Sequence, residues 1–150
     1  MTARGVEAGR GAGRTAARVQ ALVDAVGEVV AGRPDLLRPE YAAKVARGAD
    51  PLTGHCYVAT EALWHLLGGS RSGWRPFSGR GPGRAGGSHW WLVGPGGEVA
   101  DVTARQFDRP VDYAAGTGRG FLTRRPSARA RAVIRAVRAA ERAAGREAWW

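Results

Sequence analysis

The chain contains no asparagine, one lysine and one cysteine among its 150 residues. A lone cysteine cannot close an internal disulfide, which fits a reducing compartment. Without asparagine, no Cys-His-Asn arrangement can exist. Cys56 and the histidines His55, His65 and His89 do not fall in spaced pairs on one face, so they make no zinc set. No metal and no other cofactor is expected. No stretch approaches the ~20 consecutive apolar residues of a membrane span. Residues 1–14 have no apolar central run, so they do not read as a secretory signal. Together these absences predict a soluble, cytoplasmic protein that does not enter a membrane.

Acidic side chains are also few, 13 against 23 basic ones, for a formal charge of +10. The excess is terminal. Residues 19–118 carry ten basic and ten acidic groups, whereas residues 119–146 carry nine Arg against Glu141. A basic terminal patch can attract nucleic acid or an acidic partner. Yet 22 of the 23 basic residues are Arg, in a chain rich in Ala and Gly, which is what a GC-rich coding bias produces.

A chain of this length predicts one domain with a core large enough to fold unaided. Residues 1–14 offer nothing to bury and read as a disordered basic tail. The domain then spans 15–146, with 147–150 as a C-terminal tail. Val19, Leu22, Val23, Val26, Val29 and Val30 form one apolar helical face over 15–31, closed by Gly32 and Pro34. A short helix is expected over 39–47. Another is expected over 55–67, with Thr53 as its N-cap and Gly68-Gly69 closing it. Cys56, Ala59, Leu63, Leu66 and Leu67 share one face of it. Residues 68–87 hold eight Gly among twenty and predict a mobile loop, with a short strand at most over 74–77. Strands are expected over 89–93 and about 97–102, followed by irregular chain over 103–120. A last helix runs from near Ser127 to about 144. Its apolar face is Ala130, Val133, Ile134 and Val137, opposite Arg131, Arg135, Arg138 and Arg142.

The chemistry-bearing residues converge on the cysteine. A thiol attacks as its thiolate, and a free Cys titrates near ~8.5. A helix start supplies unpaired N–H groups and a positive dipole end, which favour the anion and can also serve a tetrahedral oxyanion. His65 lies nine residues on, about 180° around the same helix, and faces away. His55 diverges at the helix start. Only His89 lies on a separate element that can face the thiol. If Gly94-Pro95-Gly96 is a three-residue hairpin loop, position 89 pairs with 101. His89 and Asp101 are then cross-strand neighbours, with Cβ atoms ~5 Å apart. Each residue has a plainer reading: Cys56 as a small buried hydrophobe, His89 as a satisfied strand histidine, Asp101 as a capping or solvated carboxylate. The three in this order favour chemistry. Gln20 is a candidate second oxyanion donor, with a backbone N–H or Tyr41 as alternatives. Trp74 and Trp91 are candidates for lining a substrate groove.

Gly54-His55-Cys56-Tyr57 through Leu66-Leu67-Gly68-Gly69, then His89-Trp90-Trp91-Leu92, then Asp101-Val102-Thr103, resembles the core of transglutaminase-like and papain-like proteins. The pattern is a G-x-C opening a helix, an H-x-W strand and a D-x-T strand, over about residues 53–103. The whole chain also resembles small bacterial and phage proteins of the YunG type, a likeness that implies no particular activity. The superfamily resemblance implies Cys56 as nucleophile, His89 as base and Asp101 as its orienter. It implies an α+β fold with the Cys helix packed on a small antiparallel sheet and helices at both ends. The expected function is that of a thiol hydrolase or acyltransferase acting on a peptide or amide through a Cys56 thioester. A non-catalytic binding module and a basic nucleic-acid-associated protein are the alternatives.

Overall fold

A computed structural model describes residues 3–83 and 87–146. Among them are four α-helices and one four-stranded antiparallel sheet, an α+β architecture. The helices are α1 (Ala3–Ala31), α2 (Pro39–Ala46), α3 (Cys56–Leu66) and α4 (Ala128–Ala143). The strands are β1 (Arg75–Arg80), β2 (Ser88–Val93), β3 (Val99–Ala100) and β4 (Thr117–Gly118), in the spatial order β3-β2-β1-β4.

The apolar face of α1 is buried as its spacing requires, with Leu22, Val26 and Val30 in the core. The helix begins at Ala3, not near 15, and so crosses the segment expected to be disordered. Once the buried half is formed, each added residue gains a backbone hydrogen bond, and Ala and Arg are strong helix formers. That gain outweighs the cost of about 1 kcal/mol for each glycine in the extension. The expected tail at 147–150 lies outside the described residues, as do 84–86 of the expected mobile loop.

The cysteine-bearing α3 lies centrally, packed by α1, α4 and the sheet. Val58, Ala59, Ala62, Leu63 and Leu66 are buried, and so is Glu61. An isolated buried carboxylate is costly. Here Glu61 accepts from the Ser127 backbone N–H at 2.8 Å and from the Ser127 hydroxyl at 2.8 Å. The same hydroxyl accepts from the Ala130 N–H and caps α4. Glu61 thus ties the start of α4 to the middle of α3, beneath Val133 and Val137 of the α4 apolar face.

The glycine-rich segment after α3 is more ordered than its composition implies. β1 pairs with β2 along its whole length, from Arg75↔Val93 to Arg80↔Ser88. One of its glycines serves the packing of Trp91: a Cβ at Gly79 would stand 2.9 Å from the Trp91 ring, and one at Gly116, farther along the chain, would collide with the same ring. The segment read as irregular, 103–120, contributes two 3-10 turns and then β4, which pairs with β1 through Phe77↔Gly118.

Thr53 does not cap α3. The residue before the helix is His55, and Gly54 stands between Thr53 and that position with φ of +82°. The left-handed turn at Gly54 swings Thr53 off the helix axis. A Cβ at Gly54 would also lie 2.5 Å from the Tyr41 ring. Gly48 has φ of +99° but nothing within 4 Å of its Cβ position. Gly48→Ala should therefore cost only backbone strain, about 1 kcal/mol. Gly54→Ala should cost strain and a clash, at least about 3 kcal/mol. Urea unfolding of the two variants checks this, and equal losses would show that Tyr41 does not confine Gly54.

Candidate active site

A compact turn delivers Cys56 to its place. Asp50 Oδ1 accepts from the Leu52 N–H at 2.8 Å, and the His55 N–H donates to Leu52 O at 3.1 Å. The left-handed Gly54 then starts α3 with Cys56 as its first residue. The thiol is half-buried and reduced, and its Sγ donates to the Ser88 carbonyl at 3.7 Å. Ser88 opens β2, so the thiol sits beside His89, the next residue along.

His89 is held from its far side. Its Nε2 lies 2.7 Å from Asp101 Oδ2, and the two side chains are 1% and 3% exposed. The same Oδ2 accepts from the Tyr113 hydroxyl at 2.8 Å, and Oδ1 accepts from the Thr103 N–H at 3.2 Å. The hairpin register differs from the expected one. Leu92 pairs with Ala100 and Val93 with Val99, so the partner of 89 is displaced by two from Asp101. The reason lies in the turn. It takes in Gly94 to Glu98, closed by the Gly94 N–H on Glu98 O at 2.8 Å, with Gly97 at φ of +84°. A shift of two preserves the side-chain parity of a strand. His89 and Asp101 therefore keep one face and meet diagonally instead of directly opposite.

The ring is boxed by aromatics. Trp91 lies 5.8 Å from it and Phe107 4.8 Å, edge-on. Burial pushes the His89 pKa down. The Asp101 hydrogen bond, a hydrogen bond with Cys56 and the charges of both outweigh it, and the pKa is pushed up to about 9. His89 is therefore an imidazolium at neutral pH, with Nε2–H on Asp101. Its Nδ1 is buried with no conventional hydrogen-bond partner. The Tyr113 hydroxyl is pushed up by burial and by Asp101, so it remains a donor to that carboxylate.

The other candidates fall elsewhere. His55 is buried, and burial pushes it down to about 4 despite the nearby Asp35 charge. It is neutral beside Cys56 and points into the core. Gln20 donates its amide to Asp24 at 2.9 Å. It lines a groove of about 740 Å³ between α1 and β3, together with Trp74, Asp101 and Tyr113, and Cys56 does not line that groove. Gln20 thus pairs one turn along its own helix. Trp91 is 0% exposed and cannot line a groove. It is the floor beneath His89, seated against Gly79, Gly116 and Tyr113. No group of three or more metal-ligating side chains occurs among the described residues.

Three supporting residues escaped the sequence: Tyr113, Phe107 and the Ser88 carbonyl. Tyr113 and Phe107 lie in the stretch without periodicity, where nothing marks a side chain for the sheet face. Thr103 did carry a signal, since an Asp whose carboxylate caps the N–H two residues on is an Asx turn.

The arrangement offers a thiol at a helix start, a buried imidazolium beside it and a carboxylate that orients the ring. The first-turn N–H groups of α3 lack intrahelical acceptors and can face a developing oxyanion. No protein-family model matches the chain, and no curated protein or solved structure matches it either.

The His89 shift has a pH signature. A histidine whose pKa rises from 6.5 to about 9 on folding adds stability that is fully present below 6.5 and lost as pH rises through 9. Urea unfolding should lose about 3 kcal/mol across that window. Asp101→Asn should flatten the loss by more than half. A wild-type profile that stays level from pH 6.5 to 9 would contradict a protonated His89.

Proposed function

We propose that the protein is a cysteine-dependent hydrolase or acyltransferase acting on an amide or (iso)peptide bond through a Cys56 thioester. The supporting observation is the buried His89, held on Nε2 by Asp101 at 2.7 Å and standing beside a half-buried thiol at a helix start. A cysteine helix packed on a small antiparallel sheet, with the His on β2 and the Asp directly after β3, is also what a papain- or transglutaminase-like core would use.

In this reading Cys56 Sγ attacks the carbonyl carbon, and the C–O electron pair moves onto oxygen. The N–H groups at the start of α3 face that oxyanion. His89 then gives its Nδ1 proton to the leaving amine as the C–N bond breaks, which leaves a thioester and a neutral imidazole. Water or a second amine next gives its proton to His89 as it attacks the thioester. Collapse releases an acid or a new amide and returns the thiolate–imidazolium pair. Asp101 holds the ring orientation throughout, and Tyr113 and Thr103 hold Asp101.

A small activated ester tests this without knowledge of the natural substrate. p-Nitrophenyl acetate should give a burst of p-nitrophenolate equal to the protein concentration, and none in Cys56→Ala. His89→Ala should slow acylation by roughly 10²- to 10⁴-fold. Asp101→Ala should slow it by at least about tenfold with the fold intact. Asp108→Ala should leave it unchanged. A Cys56 that iodoacetamide labels no faster than free cysteine, at a rate His89→Ala does not alter, would sink the catalytic reading and leave a non-catalytic binding module.

The arginine face of α4 supports a second surface. Arg131, Arg135 and Arg142 are exposed on one side of the helix, and Arg138 is half-buried there. This face is the place for an acidic protein or nucleic acid, away from the reacting bond. Changing all four to Gln should leave ester turnover within about twofold, while retention on heparin falls. Each lost contact should also flatten the salt dependence. Wild-type protein that passes heparin at low salt would leave coding bias as the sufficient account of these arginines.

A further inference from the structure

A second groove, of about 360 Å³, lies at the Ser88 end of β2; Cys56 does not line it. Its polar lining is Ser78, Arg80, Ser88, Thr117 and Arg119, and no carboxylate lines it. Ser88 joins it to the site, since the Ser88 carbonyl accepts from Cys56 Sγ. The β-sheet register builds the groove. Arg80 stands opposite Ser88, and Ser78 stands opposite Thr117, so the side chains of both pairs share a face. Arg119 is anchored twice: its backbone N–H donates to Pro76 O at 2.9 Å, and its Nε donates to the largely buried Ser78 hydroxyl at 2.9 Å. That leaves the terminal nitrogens of its guanidinium fork uncommitted, as is the Arg80 guanidinium, among the described residues.

We propose that this groove selects an acyl substrate carrying an anionic group, carboxylate or phosphate, within a few bonds of the carbonyl that Cys56 attacks. The inference rests on the thiol-enzyme reading above for the word substrate, and on the groove itself for the anion. Two guanidiniums without a neighbouring carboxylate, flanked by hydroxyl donors, are suited to planar or tetrahedral oxyanions. An uncharged substrate leaves both guanidiniums with water alone. Arg80 and Arg119 are thus specificity-determining residues, and the acyl chain runs from the thiol past Ser88.

Alkylation separates the groove from the chemistry. Iodoacetate and iodoacetamide form the same Sγ–CH2 bond and expel the same iodide, but only iodoacetate carries a carboxylate next to the reacting carbon. Arg80→Gln with Arg119→Gln should lower the iodoacetate-to-iodoacetamide rate ratio at Cys56 by roughly fivefold to tenfold. The iodoacetamide rate itself should hardly change. Thr117→Asp, which sets a carboxylate in the groove, should lower the ratio as well. Arg47→Gln with Arg71→Gln removes the same formal charge at exposed positions outside the groove and should leave the ratio alone. N-acetylglutamate and inorganic phosphate at millimolar concentration then distinguish the sources. Slowing of iodoacetate labelling by the first alone assigns a carboxylate substrate, and by the second alone a phosphorylated one. A ratio that neither groove variant changes, or protection by neither anion, overturns the proposal. If His89→Ala leaves iodoacetamide labelling unchanged while the ratio still follows Arg80 and Arg119, the catalytic reading fails and the anion site stands.

Discussion

The contact between His89 Nε2 and Asp101 Oδ2 organises half of this molecule. Two ionisable side chains at 1% and 3% exposure cannot stand in a protein interior unless their remaining hydrogen-bonding capacity is met. Asp101 meets it with Tyr113 and Thr103. That requirement explains why chain without periodicity, 103–120, returns across the sheet. Its 3-10 turns place Tyr113 on the carboxylate and Phe107 on the imidazole, and β4 then closes on β1. Trp91 completes the box, and Gly79 and Gly116 exist at the only backbone approach its ring leaves. The polar pair and its aromatic shell are one construction. Loss of Tyr113 would expose Asp101 to an unpaired lone pair and Trp91 to a lost neighbour at once.

On the opposite side of the sheet, the core follows ordinary helical logic. α1, α3 and α4 present Leu22, Val26, Leu63, Leu66, Val133 and Val137 to one another and to Leu92 of β2. Glu61 supplies the fixed point that apolar contacts cannot, because two 2.8 Å bonds to Ser127 define where α4 begins. The helical layer therefore sets the position of α3 along its own axis. The turn at Gly54 sets where that helix starts. Together they decide whether Sγ arrives at Ser88 or a residue away from it. A displacement of one residue at the helix start would rotate the thiol by about 100° and carry it off the sheet edge.

The legible parts of this protein were those with a period. The valines of α1, the leucines of α3 and Ala130, Val133, Ile134 and Val137 of α4 each repeat with the helix, and each face is buried as its spacing dictates. The pairing of His89 with Asp101 was legible for a narrower reason. Strand parity has only two values, so a loop misjudged by two residues still leaves both side chains on one face. The loop length itself, 94 to 98, depended on the Glu98 carbonyl reaching the Gly94 N–H, which no local pattern announces. Only the first half of β1 was legible, as a short strand over 74–77, because Gly79 is read locally as flexibility, whereas its role is to make room for Trp91, a residue over ten positions away. Trp91 was misplaced as a groove residue by the same limit. Sharing a face with the site is a one-dimensional statement, and burial depends on what the rest of the chain lays over it.

A buried His–Asp pair is by itself weak grounds for chemistry, since such pairs also occur as structural fixtures. The surroundings of this pair bear on the proposed chemistry. A well-packed apolar pair of similar volume is generally as stable as a buried ion pair, or more so. The second ring nitrogen of His89, Nδ1, is buried and is left to the side of Cys56 once Asp101 holds Nε2. The only nucleophilic group next to it is the Cys56 thiol, whose charge and hydrogen bonding raise the affinity of the ring for its proton. In the proposed chemistry the Nδ1 proton leaves, first to an amine departing from a carbonyl bound at Sγ. The half-buried thiol then gives access to that carbonyl, and Asp101 holds the ring from its far side. A ring fixed by Asp101 on one nitrogen and set beside an accessible sulfur is what the proposed proton transfer would require.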